Sequence, residues 1–161
     1  MRQIEFRPLT VDDYALAEQF KRGTVLAAMG DERLFEVWFP AERPYSVLLA
    51  RAQAFDPASC VFIEVDGVAV GGVHLFVREN ADGGRDGHVN NIFLLPEWRG
   101  KGLGEKLDGY AMAFFRRHGV TWAGLRTNPL QPKVVAFYQR MGWRLMGEAE
   151  EGMVWMGRDV E

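Results

Sequence analysis

Hydrophobic and polar positions change period several times along the chain, and each change marks an element. Residues 3–8 read as a short strand. Thr10-Val11-Asp12-Asp13 follows, with Thr10 placed as an N-cap and Asp13 three residues on, the spacing of a capping box. A helix is expected from there to about Lys21. Residues 22–55 read as partly helical, interrupted near Gly30 and Pro40. Cys60 to Val65 is rich in β-branched and aromatic residues. Asp66-Gly67 breaks the run and Val68 to Val77 resumes it, which predicts a hairpin. Gly71-Gly72 inside the second strand predicts a bulge or a close backbone approach. Asn80 to Gly87 holds three glycines and three charges and reads as a mobile loop.

His88 to Leu95 is the next predicted strand, stopped by Pro96. A helix is expected from Leu103 to about His118, because Leu103, Leu107, Tyr110 and Phe114 fall on one face. Arg116, Arg117 and His118 suit the negative end of that helix, and Gly119 its C′ position. Trp122 to Thr127 reads as a strand, and Pro132 opens a helix that ends at Gly142. Trp143–Met146 and Met153–Met156 read as two last strands joined by an acidic loop. This alternation predicts an α/β domain. The first crossover should be right-handed, with strands 88–95 and 122–127 parallel. No repeat, low-complexity tract or linker divides the chain, so one domain over residues 1–161 is expected.

Composition narrows the function. Nearly half the residues are apolar and a quarter charged, enough for a substantial core. A net charge of −3 lacks the basic field of a nucleic-acid binder, so no nucleic-acid partner is expected. The one cysteine, Cys60, lies in an apolar run and reads as an inert buried thiol. The first residues do not resemble a signal peptide, and no apolar run approaches ~20 residues. A cytoplasmic protein with no membrane contact is the expectation.

The chemistry concentrates in Leu94-Leu95-Pro96-Glu97-Trp98-Arg99-Gly100-Lys101-Gly102-Leu103-Gly104. A strand ends, a glycine-rich loop turns and a helix begins. Glycines let backbone N–H groups approach an anion, and a helix N-terminus adds unpaired N–H groups and a positive dipole end. Lys101 adds a point charge. The plainer reading is a tight strand-to-helix turn. The loop is not a G-x-x-x-x-G-K-[ST] P-loop, and its G-x-G-x-G spacing differs from a Rossmann fingerprint.

Arg99-Gly100-Lys101-Gly102-Leu103-Gly104 matches the R/Q-x-x-G-x-G/A signature of the GNAT superfamily of N-acetyltransferases. Leu95-Pro96-Glu97-Trp98-Arg99 is similar to that family's approach to the loop, and Phe137-Tyr138-Gln139-Arg140-Met141-Gly142-Trp143 resembles its F-Y-x-x-x-G-F segment. The resemblance covers nearly the whole chain. It implies a GNAT-like α+β fold, a mixed, mostly antiparallel sheet flanked by helices. Two central parallel strands, here about 88–95 and 121–127, would splay around acetyl-CoA. It implies pairing of the backbone of Phe93 and Leu94 with the pantetheine arm. The N–H groups of Gly100, Lys101, Gly102, Leu103 and Gly104 would hold the pyrophosphate, and Arg99 would order the loop. Acetyl-CoA is then the co-substrate, with no metal. The expected activity is acetyl transfer to a primary amine by direct attack in a ternary complex. The acceptor would be a small molecule or a protein amine, and a homodimer is one assembly open to it.

Two positions depart from the family pattern. An Asn often precedes the helix tyrosine by seven residues; here Gln131 stands there, with Lys133 just beyond as a candidate contact to a CoA phosphate. An acidic residue often stands nine positions before the motif arginine; here the pair is Asn90-Asn91. An amide cannot take a proton at neutral pH but can orient a water. The resemblance makes Tyr138 the candidate acid for the departing thiolate. His74 and His88 are candidate bases, and a water chain held by Asn90 is their rival. His118 is explained by its helix end. Trp38, Phe39 and Tyr45 are candidates for the acceptor pocket, with core packing the plainer reading. Glu148, Glu150 and Glu151 are candidates for attracting a cationic amine. The alternative function is a non-catalytic acyl-CoA-binding or regulatory module on the same fold, with a generic nucleotide-binding domain as a third.

Overall fold

The computed structural model describes residues 2–161. Seven strands, β1 (Ile4–Pro8), β2 (Cys60–Val65), β3 (Val68–Glu79), β4 (Arg85–Leu94), β5 (Val120–Thr127), β6 (Arg144–Glu150) and β7 (Met153–Asp159), form one sheet in the order β1-β2-β3-β4-β5-β7-β6. Only β4 and β5 pair in parallel; the other neighbours are antiparallel. Helices α1 (Tyr14–Met29), α2 (Leu34–Trp38) and α3 (Tyr45–Phe55) cover one face; α4 (Leu103–Arg117) covers the other, and α5 (Pro132–Arg140) follows β5. The mixed, mostly antiparallel architecture expected from the sequence is the one observed.

The core divides accordingly. Val61, Val73, Leu75 and Val89 pack against Leu107, Phe114 and Phe115 of α4. Phe62 and Phe93 pack against Phe20, Tyr45 and Leu49 of α1 and α3. Buried Asp108 of α4 accepts hydrogen bonds from Trp143 Nε1 (2.8 Å) and Arg158 Nη1 (3.1 Å). That pair locks α4 to β7 and to the end of α5, and losing one partner of such a buried charge costs about 3–5 kcal/mol.

Several boundaries depart from expectation. Helix α1 does not stop near Lys21 but runs to Met29, ending at Gly30 in a left-handed conformation. Gly23, which weakens the helical signal, sits where a Cβ would lie 2.8 Å from the Phe93 ring, so it is there to let α1 approach β4. Arg85, Asp86 and Gly87 belong to β4, not to a loop; the turn is confined to Asn80–Gly84, closed by the Asn80 side chain accepting from Asp82 and Gly84 N–H groups. The acidic segment after Met146 continues β6 to Glu150, leaving Glu151-Gly152 as the turn. The Asp66-Gly67 hairpin is present, and the close approach at Gly71 is real: a Cβ there would lie 2.2 Å from the Phe93 carbonyl oxygen. Cys60 is buried, and desolvation pushes its thiol up to about 11.

Candidate active site

Two irregularities in β4 create the site. The first is a bulge. His74 of β3 pairs with Asn91, but Leu75 pairs with Val89, so Asn90 is an extra residue. Gly87 and Val89 face α4. Strict alternation would send Asn91 and Phe93 to that same side; the bulge reverses the parity, and Phe93 packs with Phe20 of α1 instead. The second irregularity is a gap. β4 and β5 pair from Arg85↔Val120 to Val89↔Leu125 and no further. From Asn90 on, β4 leaves its parallel neighbour, the splay expected from the sequence.

The loop lies beyond the end of that gap. Gly100 and Gly102 have φ of +73° and +84°, and a Cβ on either would meet nothing within 4 Å. Gly102 is the N-cap of α4, and no side chain caps the helix. The first N–H groups of α4 therefore face outward for an anion. Arg99 Nε donates to the Leu94 carbonyl (3.0 Å) and its guanidinium stacks 5.7 Å from the Phe93 ring. Arg99 thus orders the loop and occupies the Leu94 carbonyl. Lys101 is exposed, 6.0 Å from the Trp98 ring, and Leu103 is buried under the loop. Gly104 serves packing: a Cβ there would lie 3.1 Å from Phe137 of α5.

On the α1–α3 face, polar groups collect at the bulge. Lys21 Nζ donates to the Asn90 carbonyl (2.7 Å), Asn90 Nδ2 donates to the Tyr45 hydroxyl (3.0 Å), and Tyr45 Oη lies 2.6 Å from His74 Nδ1. Because Tyr45 accepts from Asn90, its one proton goes to Nδ1, and the neutral His74 ring carries its own proton on Nε2. His74 Nε2 and both amide atoms of Asn91 are buried with no partner. Desolvation, then the charge of Lys21, holds His74 down at about 3. His88, edge-on to Trp155 at 5.4 Å, is held at about 4 by desolvation and by Arg78, Lys21 and Arg126. Both histidines are neutral near pH 7 and weak as bases. Lys21 is 9% exposed, and desolvation followed by the charge of Arg126 brings its amine down to about 8.

Tyr138 lies on the other side, packed against the α4-side core and edge-on to Trp143 (6.3 Å) and Phe137 (5.4 Å). Burial, then the charge of Asp108, raises its phenol above the usual value. Gln131 does not share its surroundings: Gln131 Nε2 donates to the Ala27 carbonyl (3.3 Å), and Asn128 Nδ2 donates to that of Ala28, tying the β5–α5 connection to the end of α1. Lys133 is exposed. Phe39 and buried Tyr45 meet edge-on at 4.9 Å, each ring 6.0 Å from Lys21 Nζ; Trp38 is half-buried. Glu148, Glu150 and Glu151 are exposed, and the turn at Gly152 meets Met29 of α1. His118 Nε2 pairs with Asp56 (2.7 Å) at the end of α4. Lys21 went unrecognised in the sequence, since one lysine on an amphipathic helix carries no signal of burial.

No helix among the described residues is long and apolar enough to cross a membrane. No curated protein matches the chain by sequence. Solved structures do match in fold. The PaiA N-acetyltransferase of Thermoplasma acidophilum, in complex with coenzyme A, superposes with a TM-score of 0.77 at 16% identity over 98% of this chain and 99% of that one. Arabidopsis thaliana Naa50, in complex with the bisubstrate analogue CoA-Ac-MVNAL, gives 0.72 at 13% identity over 96% and 97%. A GCN5-related N-acetyltransferase from Ralstonia eutropha JMP134 gives 0.73 at 25% identity over 92% and 97%. Residues 26–143 match the acetyltransferase (GNAT) family model, most of the chain. The chain belongs to the GNAT acetyltransferase family.

Proposed function

We propose that this protein transfers an acetyl group from acetyl-CoA to a primary amine by direct attack in a ternary complex. The observation that carries the reading is the gap between β4 and β5 beyond Val89, with the uncapped start of α4 past one end and Asn90 at the other. A pantetheine arm fits such a gap because the free edge of β4 offers backbone groups for pairing. Leu94 supplies the groups on that edge, its carbonyl shared with Arg99, with Phe93, whose carbonyl lies on the β3 side, next to it; the amides of Gly100, Lys101, Gly102, Leu103 and Gly104 hold the pyrophosphate. Lys133 reaches toward a phosphate from α5; Gln131 contributes by fixing the start of α5 to α1. The coenzyme A in the Thermoplasma PaiA structure and the CoA-containing bisubstrate analogue in Naa50 support an acyl-CoA as the co-substrate.

Acetyl-CoA supplies the activated acetyl thioester when bound. The chain's residues handle the amine and the protons. An amine of ordinary pKa, ~10.4, is about 4 kcal/mol from its neutral form at pH 7.5. Lys21 and Arg126 reduce that cost, because like charges disfavour the ammonium. Asn90, its Nδ2 engaged by Tyr45, presents its Oδ1 to the amine or to a water that carries the proton away. Tyr138, on the opposite face, donates a hydrogen bond to the sulfur as negative charge develops there. Its raised pKa makes full proton loss unfavourable, so the hydrogen bond itself is its contribution.

Acetyl-CoA at 100 times its Kd should add about 2.7 kcal/mol of stability and raise Tm by several degrees, while NAD should not. An amine panel should then release thiol from acetyl-CoA. No stabilisation at millimolar acetyl-CoA removes the reading. Stabilisation without thiol release from any amine replaces it with a non-catalytic acyl-CoA-binding module.

A further inference from the structure

Beside Asn90, between α3 and strands β3 and β4, lies a cavity of about 430 Å³. Its polar lining is Arg51, Arg78, His88 and Asn90, separated by apolar side chains that include Phe55 and Phe76. No carboxylate lines it among the described residues, although the chain has 22 acidic against 19 basic residues. Neither Arg51 nor Arg78 is in an ion pair among those residues. Lys21 adds a buried cation behind the Asn90 carbonyl, likewise without a carboxylate. Asp86 stands opposite Arg78 in register, but its carboxylate accepts from Asn80 Nδ2 (3.1 Å) and makes no ion pair with it; a cavity walled by arginines free of ion pairs attracts an anion.

The polar groups are not mixed at random along the cavity. The Tyr45 hydroxyl, at the first residue of α3, holds Asn90 at one end. Arg51 comes six residues later on α3, roughly 9 Å along a helix at ~1.5 Å per residue. Arg78 comes three residues after Leu75, the β3 residue that flanks the bulge, roughly 10 Å along a strand. Both arginines thus stand well away from the Asn90 end, with Phe55 and Phe76 along the walls.

We propose that this cavity is the acceptor site and that it takes a primary amine with a carboxylate at the far end of an apolar body. The amine lies at Asn90, by the gap, and the carboxylate meets Arg51 and Arg78. The assignment rests on the acetyl-transfer reading for the fate of the amine, but the preference for an acid is a property of the cavity. Different cations serve the two ends: Arg51 and Arg78 hold the carboxylate, while Lys21, at the Asn90 carbonyl, disfavours the charged form of the amine.

The test uses the full chain with CoA bound and matched probes, 6-aminohexanoate and 4-(aminomethyl)benzoate against 6-aminohexanamide and 4-(aminomethyl)benzamide. Binding is read by calorimetry and transfer by thiol release from acetyl-CoA. At least one acid should bind tenfold or more tightly than its amide. The Arg51→Gln, Arg78→Gln double variant, altered only at exposed side chains, should bring that ratio to about one. Amides that bind as well as acids, or a ratio untouched in the double variant, overturn the proposal, as does the absence of binding by every probe. An acid preference in binding with no thiol release keeps the anion site and removes the transferase reading. Thiol release with amides at equal or better kcat/KM does the reverse.

Discussion

The two ends of the gap between β4 and β5 are built by different means. At the loop end, residues 99–104 make the site almost alone: two glycines with positive φ and the uncapped start of α4 present backbone amides, and only Arg99 reaches back five residues to Leu94. At the bulge end, the site consists of residues brought together from four elements, α1, α3, β3 and β4. Lys21 and Asn90 are 69 residues apart, Asn90 and Tyr45 are 45, and Tyr45 and His74 are 29. In the proposed function the loop end recognises a group that every acyl-CoA carries, for which backbone amides suffice. The bulge end, proposed to handle the part that varies, is made of buried, desolvated side chains whose pKa values are moved by burial.

The comparison makes the bulge end the pH-sensitive one, and the largest expected effect is there. Lys21 has a folded pKa of about 8 against 10.5 for the free amine. Below pH 8 both states bind the proton and its contribution to the pH dependence is flat. Between pH 8 and 10.5 the unfolded chain binds more protons than the folded one, so stability rises with pH, by about 3 kcal/mol in all. Denaturant unfolding of the wild type should show this gain relative to Lys21→Met, which should lack it; parallel pH profiles would mean that Lys21 is solvated. His74 acts at the other extreme: below about pH 6.5 the unfolded chain protonates while the buried ring does not, so stability falls with pH toward 3.

The loop end should respond to charge and not to shape. Asp and Asn have the same outline, and both tolerate the positive φ of Gly102. Gly102→Asp should bind acetyl-CoA about 100-fold more weakly than Gly102→Asn, since a carboxylate would face the pyrophosphate at a few ångströms. Equal affinities in calorimetry would place the phosphates elsewhere.

Tyr138 tests whether the two faces meet across the gap. Tyr138→Phe should leave acetyl-CoA affinity unchanged and lower kcat about 10- to 100-fold, the ~1.5–3 kcal/mol of a hydrogen bond to a developing charge. Full kcat with chemistry rate-limiting would make Tyr138 a packing residue for Trp143. The smallest effect is expected from Tyr45→Phe, which strands Asn90 Nδ2 and His74 Nδ1 together. Thermal unfolding should show a loss of about 1–2 kcal/mol, with acetyl-CoA binding preserved; a loss of acetyl-CoA affinity would show that the two ends are coupled.

Elements were legible wherever local chemistry decides them. Asp66-Gly67, Gly119 and Pro132 each carry a turn or end signal within two or three residues, and the structure honours all three. Misreadings fell where a distant contact overrules a local one. The first helix reads as stopping near Lys21, yet it runs on past Gly23, whose missing Cβ leaves room for Phe93. Gly87 reads as loop until Phe115 occupies the space its missing side chain leaves.

By itself the sequence determined the family, the order of the elements and the loop of residues 99–104, because glycine placement, helix termini and hydrophobic period act over a few residues. The tertiary structure alone decided which way Asn91 and Phe93 face, that Lys21 is buried against Asn90, and that Arg51 and Arg78 share a cavity with His88. Those facts depend on a one-residue bulge and on packing between segments tens of residues apart, and no periodicity in a single strand or helix encodes either.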